Sequence, residues 1–237
     1  MKAIVTGHTK GLGAAISAEL LARGVPVLGL ARGTATGLGT QLRQVELDLA
    51  DAAALSDWMA GPALRGWLNG CGTALLVNNA GVLGPVGPLP EQDPGAVVRA
   101  VSLNGAAPLA LAAAVARAAA GAQVRILHIS SGAARNAYPG WSVYCATKAS
   151  LDQHARAVAL DGDARVKAVS LAPGVIDTGM QAEIRATPES RFPMRERFVQ
   201  MKNQGALVAP EQSARMVVDY LLDAQFGAKP VDDLRDR

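Results

Sequence analysis

Short apolar runs and longer stretches with helical spacing alternate along the whole chain. The strand signals are rich in Val, Ile and Leu and are bounded by glycine or polar residues. They lie at Lys2–Thr6, Val25–Ala31, Ala74–Val77, Val124–Ser130 and Val166–Leu171, with weaker ones near Val45–Leu47 and Lys229–Val231. The helical stretches lie near Leu12–Arg23, Ala52–Met59, Pro94–Ala119, Ser142–Leu160 and Glu211–Leu222. This alternation predicts an α/β fold with a doubly wound parallel sheet and helices on both faces.

No break in the alternation marks an inner boundary, so residues 1–237 are expected to form a single domain. The Gly/Thr cluster Gly33–Thr40 predicts a loop. Residues 178–204, rich in charge, Met and Pro, interrupt the pattern. Because ligands of open α/β sheets bind beyond the carboxyl ends of the strands, this segment is interpreted as a substrate lid, with a plain surface excursion as the alternative.

Composition narrows the classes of protein. Half of the 237 residues are apolar and the net charge is only +3, so nucleic acid is not an expected partner. Two cysteines do not make a disulfide framework, and three isolated histidines do not have metal-ligand spacing. The chain enters a strand without a signal peptide, and the Ala-rich stretch near 106–116 suits a buried helix. A cytoplasmic protein without membrane contact is expected.

A glycine-rich turn follows the first strand. Thr6–Gly13 reads Thr-Gly-His-Thr-Lys-Gly-Leu-Gly and leads into the first predicted helix. Glycines there let the backbone approach a pyrophosphate, and the helix N-terminus supplies unpaired N–H groups with a favourable dipole. Three glycines alone can make only a tight turn, but this position between strand and helix favours nucleotide binding.

Tyr144 and Lys148 are four residues apart in a predicted helix and therefore share one face. A cation beside a phenol favours the phenolate, which lowers the pKa of the phenol and suits it to proton transfer with a carbonyl oxygen. The same spacing also occurs by chance. Ser130 and Ser131 follow a predicted strand, where a hydroxyl could bond a carbonyl oxygen or serve only as a turn residue. Because no Asp/His pairing accompanies them, a hydrolase triad is rejected.

Taken in order along the chain, these motifs resemble the short-chain dehydrogenase/reductases, from Lys2 to about Asp232. The ordered set is Thr6–Gly13, Asn78-Asn79-Ala80-Gly81, Asn104, Ser131, Tyr144 with Lys148, and Pro173-Gly174. The resemblance implies a Rossmann-type fold and favours Ser131 over Ser130, thirteen residues before Tyr144. It implies that Asn104 bends its helix and holds a water in a proton relay to Lys148. A satisfied buried amide is the alternative for Asn104.

The choice of cofactor is expected to depend on charge. Ala31 stands where NAD-preferring members of the family tend to carry an acid, while Arg32 and Lys10 are cations suited to a 2′-phosphate. NADP(H) is therefore the expected cofactor. Asp48 matches the position beside the adenine edge, or is a helix N-cap for the segment beginning near Asp51. The resemblance implies the following cofactor-binding residues: Gly7, Thr9, Lys10, Gly11, Leu12, Gly13, Arg32, Asp48, Leu49, Asn79, Ala80, Gly81, Tyr144, Lys148, Pro173, Gly174, Val175, Ile176 and Thr178.

A narrower resemblance concerns the second half of the chain. The stretches 140–149, 173–181 and 227–232 look like sepiapterin reductases and bacterial benzil-reductase-like proteins. The implied catalytic residues are Ser131, Tyr144, Lys148 and Asn104. The implied substrate-binding residues are Ser131, Tyr144, Trp141, Met180 and Asp232, with Asp232 at the position that anchors a pterin.

The predicted function is NADPH-dependent reduction of a ketone or vicinal dicarbonyl. The alternatives are an alcohol dehydrogenase, a 3-ketoacyl reductase, or an NADP-sensing protein without catalysis. Family members commonly pair through the two long helices, here Pro94–Ala119 and Ser142–Leu160, so a homodimer or homotetramer is expected.

Overall fold

The computed structural model describes residues 1–36 and 41–236, and seven of its strands form one parallel sheet. The strands are β1 Lys2–Thr6, β2 Val27–Ala31, β3 Leu42–Glu46, β4 Thr73–Asn78, β5 Gln123–Ile129, β6 Val166–Ala172 and β7 Val231–Asp233. Their order across the sheet is β3-β2-β1-β4-β5-β6-β7. The order reverses between β1 and β4, and this switch point opens a crevice at the carboxyl edge where an α/β sheet binds its ligand. The predicted Rossmann-type fold is confirmed.

Nine α-helices occur in the described chain. They are α1 Gly11–Ala22, α2 Ala52–Ala60, α3 Pro62–Leu68, α4 Pro94–Val101, α5 Ala107–Ala118, α6 Ser142–Val158, α7 Gly179–Ala186, α8 Arg195–Asn203 and α9 Pro210–Leu222. A π-helical segment, Ser102–Ala106, joins α4 to α5 where one uninterrupted helix was expected.

Two apolar layers cover the faces of the sheet. On one face α1 and α9 bury Ile16 and Val217 against β-strand side chains such as Val5. On the other face α3 and α5 bury Trp67 and Leu111. Both faces of the central strands are thus covered, which is why β1 and β4 are nearly continuous apolar runs.

The helical run Pro94–Ala118 is long and apolar enough, by length and composition, to cross a membrane. Its α5 part packs into the core through Leu111 and Val115, which are 1% and 0% exposed. A core helix packed on a sheet accounts for this apolar composition, as the sequence suggested.

The structure corrects three expectations about elements. β3 begins at Leu42 rather than Val45: this edge strand pairs with one neighbour only, and the polar residues Arg43 and Gln44 hide its first half from an apolar strand signal. α3 was not predicted, and α7 and α8 fold the segment 178–204 into helices. The predicted loop Gly33–Thr40 is seen as far as residue 36, and residues 37–40 lie outside the described part.

Candidate active site

The glycine turn after β1 has a shape that only glycine permits. Gly7 has φ +69°, and a Cβ at Gly13 would lie 2.2 Å from the Gly7 carbonyl oxygen. The Thr6 hydroxyl accepts bonds from the backbone N–H groups of Asn79 and Ala80, each at 2.9 Å. The Asn79 side chain donates to the Thr6 carbonyl at 3.0 Å. The end of β4 therefore braces the turn after β1.

The N-terminus of α1 opens on the carboxyl edge of the sheet. Its first turn has no acidic residue, and the Lys10 side chain does not cap it. Thr178 faces the turn, with Cγ2 3.4 Å from where a Gly11 Cβ would lie. Unpaired N–H groups, a positive dipole end and a nearby lysine suit a pyrophosphate. A dinucleotide therefore fits these residues: Gly7 and Gly11 line the cavity without side chains, and Gly13 lets the turn pack closely on itself.

A cavity of about 1020 Å³ runs along this edge. All of the predicted cofactor-binding residues line it except Gly13, which packs beneath the turn. Ser131, Tyr144, Lys148, Trp141 and Met180 also line it, whereas Asn104 and Asp232 do not. The part lined by 7–12, 31–33 and 47–50 is called the nucleotide half below. The part lined by 131–144 and 178–201 is called the substrate half.

The outer end of the nucleotide half carries the charges expected there. Arg32 and Lys10 line the cavity, and no acid occupies the end of β2 at Ala31. The Asp48 carboxylate accepts from the Ala50 N–H at 3.0 Å and pairs with Arg99 at 3.1 Å, and this backbone bond is the main cause of its lowered pKa. The alternative of Asp48 as the N-cap of α2 is wrong, because Asp51 caps that helix.

Tyr144 is a buried phenol at the border of the two halves, 7% exposed. Burial raises its pKa to about 12, while a hydrogen bond with Ser131 acts in the opposite direction. The expected lowering of this pKa by Lys148 is therefore wrong for the protein without ligand. Across the neutral range the phenol keeps its proton.

Lys148 is turned toward the sheet. Its ammonium donates to the Ile129 carbonyl at 2.7 Å and lies 5.6 Å from the centroid of the Tyr144 ring. Burial lowers the pKa of Lys148 to about 8, and the charge of Asp152, one turn further along α6, acts to raise it. Sequence reasoning missed both neighbours. Asp152 stands four residues after Lys148, the same spacing that separates Tyr144 from Lys148, so it could have been noticed in the sequence. The contact with the Ile129 carbonyl could not, because any residue type carries a backbone carbonyl.

The two serines after β5 have different roles. Ser131 lines the cavity and its hydroxyl accepts from the Ala133 N–H at 3.1 Å. Ser130 is buried and donates to the Asp152 carboxylate at 2.8 Å, beside Ser170 at 2.7 Å. Because the Ser130 hydroxyl is used by this buried carboxylate, Ser131 is the one available to a substrate.

Asn104 lies in the π-helical segment and is 1% exposed. Its amide donates to the Val82 carbonyl at 2.8 Å and accepts from the Val82 N–H at 2.9 Å. A third contact joins it to the Thr147 hydroxyl of α6 at 3.3 Å. Such π segments are often found at functional sites. The structure shows a satisfied buried amide behind the cavity wall, and the water relay remains a prediction.

The substrate half is an aromatic pocket beneath α7 and α8. Trp141 stacks on Phe192 with ring centroids 4.5 Å apart, and it meets the Tyr144 ring edge-on at 5.7 Å. The Tyr144 hydroxyl lies 3.9 Å from the Met180 sulfur. We call residues 178–204, which contain α7 and α8, the covering segment, and the chain on its two sides is joined where Ile176 bridges to Val208. The pocket therefore suits a flat, apolar carbonyl compound.

Asp232 does not reach this cavity. Its Oδ1 accepts from the Asp233 N–H at 3.0 Å and lies 3.9 Å from the Lys229 ammonium, in a separate shallow depression. The expectation that Asp232 contacts a substrate is therefore wrong in this arrangement, because the turn after β7 directs Arg235 into the cavity wall instead. The Arg235 guanidinium is held by Asp233 at 2.6 Å. Within the described residues, no cluster of His, Cys, Asp and Glu could hold a metal ion.

Comparison with known proteins agrees with this geometry. Residues 1–189 match the family model for short chain dehydrogenases. The chain is 32% identical to a benzil reductase ((S)-benzoin forming) of Bacillus cereus over 235 residues, which covers 94% of each protein. It is 32% identical to a sepiapterin reductase of Meriones unguiculatus, covering 94% of this chain and 92% of that protein. A short-chain dehydrogenase/reductase structure from Burkholderia vietnamiensis is 47% identical with a TM-score of 0.72, covering 99% and 97%.

Proposed function

Since this chain belongs to the short-chain dehydrogenase/reductase family, whose members are oxidoreductases that bind a nicotinamide cofactor, we propose that it is an NADPH-dependent reductase of aromatic vicinal dicarbonyls. The observation that carries the proposal is the position of the Tyr144 phenol, which lines the cavity with Ser131 and Lys148 where the two halves meet. A group of this kind can deliver a proton to a carbonyl oxygen placed beside it.

The preference for NADPH rests on charge in the nucleotide half. Arg32 presents a planar guanidinium next to the end of β2, and Lys10 adds a second cation at the pyrophosphate turn. A 2′-phosphate would gain two ionic contacts there, whereas an unmodified ribose would find no carboxylate at Ala31 to accept its hydroxyls.

The residues around Tyr144 act on the oxygen of the substrate. The Ser131 hydroxyl and the Tyr144 phenol together hold the carbonyl oxygen, and both can donate to the negative charge that develops on it. The nucleotide half would hold a reduced nicotinamide cofactor, whose chemistry would be to supply a hydride to the carbonyl carbon. Tyr144 then gives its proton to the oxygen. Its phenol is protonated near neutral pH, as a free phenol also is, and the burial that raises its pKa opposes loss of the proton.

Lys148 stabilises the phenolate that remains. Its pKa of about 8 leaves it largely cationic at neutral pH, within 5.6 Å of the phenol ring. The attraction between an ammonium and a new phenolate in a buried site favours the transfer and prepares the return of a proton. Asn104, which fixes Val82 on the cavity wall, is proposed to hold the water that carries that proton.

The substrate class follows from the lining of the substrate half. Trp141, Phe198, Met180 and Leu83 present flat or apolar surface, which aryl groups would cover favourably. The relatives named as benzil and sepiapterin reductases support a dicarbonyl group between such surfaces. Asp232 is not included, because it does not line the cavity.

We further propose a homo-oligomer that pairs through α4, α5 and α6. Val98 and Val101 on α4 are 64% and 46% exposed, which an interface would bury. Sedimentation of the purified protein would give a dimer or tetramer, and a monomer at micromolar concentration would contradict this proposal.

A screen for NADPH consumption tests the proposed reaction. Benzil, sepiapterin, simple ketones and quinones are offered separately, each with NADPH and with NADH. Fast consumption of NADPH with benzil and slow consumption with NADH is the expected result. A preference for small alcohols with NAD would indicate an alcohol dehydrogenase, and a preference for carrier-bound substrates a ketoacyl reductase. No oxidation with any carbonyl would indicate a nucleotide-sensing protein.

A further inference from the structure

A fully buried histidine stands inside the glycine turn, directly after Gly7. The His8 side chain is 0% exposed and lies against β2, where a Cβ on Gly29 would come within 2.4 Å of its ring. Glycine at position 29 therefore makes room for an imidazole between the glycine turn and β2. A turn that binds a pyrophosphate does not need an imidazole ring at this position, so the presence of a buried histidine has another reason.

The reason lies on β3, the strand next to β2. His8 Nε2 is 2.8 Å from the Gln44 Oε1 of β3. The same oxygen accepts from the Ala35 N–H at 2.6 Å, and the Gln44 amide nitrogen donates to the Ala35 carbonyl at 3.0 Å. These two backbone contacts fix the orientation of the amide, so Oε1 is an acceptor and His8 must donate from Nε2. We call this connected set the His8–Gln44–Ala35 clamp.

The clamp holds the segment that carries the proposed phosphate ligand. Upstream, the Ala31 carbonyl accepts from the Leu47 N–H at 2.7 Å. Downstream, Ala35 is held on both its N–H and its carbonyl by Gln44. Arg32 lies between these two fixed points and is itself exposed on the cavity wall.

We propose that His8 and Gln44 are positioning residues for recognition of the 2′-phosphate, and that they act through Arg32. The His8 and Gln44 side chains thereby connect the turn that would receive the pyrophosphate to the segment that would receive the 2′-phosphate. An exposed arginine held at both ends of a short segment loses less conformational entropy on binding than one on a free loop. This proposal rests on the proposed preference for NADPH.

Binding of two nucleotide fragments, measured by calorimetry, tests the clamp without catalysis. The fragments are 2′,5′-ADP and 5′-AMP, which differ only in the 2′-phosphate. Gln44→Met keeps the length and bulk of the side chain but removes the donor and the acceptor. It should weaken 2′,5′-ADP roughly tenfold, as expected for one misplaced charged hydrogen bond, and 5′-AMP less than about twofold. His8→Phe, which keeps a ring against Gly29, should act in the same direction by a smaller factor.

A double-mutant cycle shows whether the effect passes through Arg32. In an Arg32→Ala background, Gln44→Met should no longer change the affinity for 2′,5′-ADP. The matched control is Gln123→Met, at an exposed glutamine on β5, which should change neither affinity. Retained 5′-AMP binding shows that each variant is folded.

Four results would overturn the proposal. Equal weakening of both fragments by Gln44→Met would show a merely structural residue, as would an effect that persists without Arg32. No change in either affinity would show that the clamp does not position Arg32. Equal affinity of the unmodified protein for both fragments would refute the NADPH preference itself, and the clamp's role with it, while leaving the reductase chemistry to the carbonyl screen.

Discussion

In the nucleotide half of the cavity the backbone makes the shape, whereas in the substrate half aromatic side chains make it. The glycine turn fits so closely that a Cβ at Gly13 would meet a carbonyl oxygen at 2.2 Å, and Thr6 and Asn79 satisfy its polar groups. The substrate half rests on rings such as Trp141 and Phe192. A site built from backbone has few alternatives in sequence or shape, while a site built from side chains can change its substrate by substitution.

The two halves also differ in how well their buried polar atoms are paired. Among the described residues, eight buried side-chain nitrogen or oxygen atoms make no hydrogen bond, and five of them belong to the covering segment or pack against it. They are Trp141 Nε1, Gln181 Oε1, Arg185 Nη1, Arg191 Nε and Arg195 Nε. A buried polar group without a hydrogen bond costs free energy, and at Arg191 the Glu91 carboxylate 3.7 Å from Nε offsets part of that cost.

The largest expected effect comes from breaking the nucleotide half. Gly13→Ala places a methyl group against backbone atoms that cannot turn aside, so NADPH binding should be lost and the free energy of unfolding should fall by about 3 kcal/mol. Calorimetry and thermal melting measure the two. Gly72→Ala is the matched control, since nothing lies within 4 Å of its Cβ position and Gly72 does not line the cavity. Equal behaviour of the two variants would show that the turn tolerates side chains.

A pH series sharpens the comparison at Lys148, where the halves meet. The pKa of Lys148 is about 8 in the folded protein against 10.5 for the free group, so between these values the unfolded chain binds more protons and stability rises with pH. Tyr144, with a pKa of about 12 against 10.0, has the opposite effect, but only above pH 10.

From pH 8 to pH 10, the unfolding free energy of the ligand-free protein should therefore gain about 2 kcal/mol relative to Lys148→Met. Urea denaturation at several pH values measures it. Lys167→Met, at an exposed lysine of β6, is the control, and the unmodified protein should show no such gain relative to it. Parallel curves for the unmodified protein and Lys148→Met would mean that Lys148 is not shifted.

The substrate half is tested by removing its central ring. Trp141→Ala should raise the KM for benzil about tenfold, because an aryl group loses the surface of the indole, and should change NADPH affinity little. Steady-state kinetics with each ligand varied separately give both values. Trp58→Ala on α2, outside the cavity, is the control. A matching loss of NADPH affinity would show that the halves are not independent.

The smallest effects are expected at the carboxyl-terminal tail. Asp232→Asn should change the KM for sepiapterin and for benzil by less than about twofold, because Asp232 faces another depression. Arg235→Gln should change the two KM values roughly threefold, the size typical of one exposed charged contact. Steady-state kinetics with each substrate measure these KM values. A large effect of Asp232→Asn on sepiapterin alone would restore a pterin anchor at that position.

The contrast between the nucleotide half and the substrate half also explains which parts of the fold and the site could be predicted from the sequence. β1 and the turn after it were located correctly because strand and glycine signals are local. All the expected nucleotide contacts except Gly13 reach the cavity, since most of them follow strand ends at the same edge of the sheet and Tyr144 and Lys148 lie on α6 beside that edge. These locations could be predicted, although their roles are still predictions to be tested.

The failures lie where tertiary packing decides. The polar residues of 178–204 hide two helices whose apolar faces, with Ile184 and Phe198, are defined only by the ring cluster beneath them. Asp232 looked like an anchor by its place in a motif, but the turn of Leu234–Asp236 selects Arg235 instead. The raised pKa of Tyr144 results from burial, which the spacing of Tyr144 and Lys148 does not report.

The proposed proton donation by Tyr144 is tested most directly by Tyr144→Phe, assayed with NADPH and benzil beside Tyr138→Phe, the other tyrosine of the cavity wall. Turnover by Tyr144→Phe should fall by a factor of roughly 100 or more, with NADPH affinity within about twofold of the unmodified protein, because only the transferable proton is removed. Tyr138→Phe should keep most of its turnover. Near-normal reduction of benzil by Tyr144→Phe would contradict the proposed mechanism.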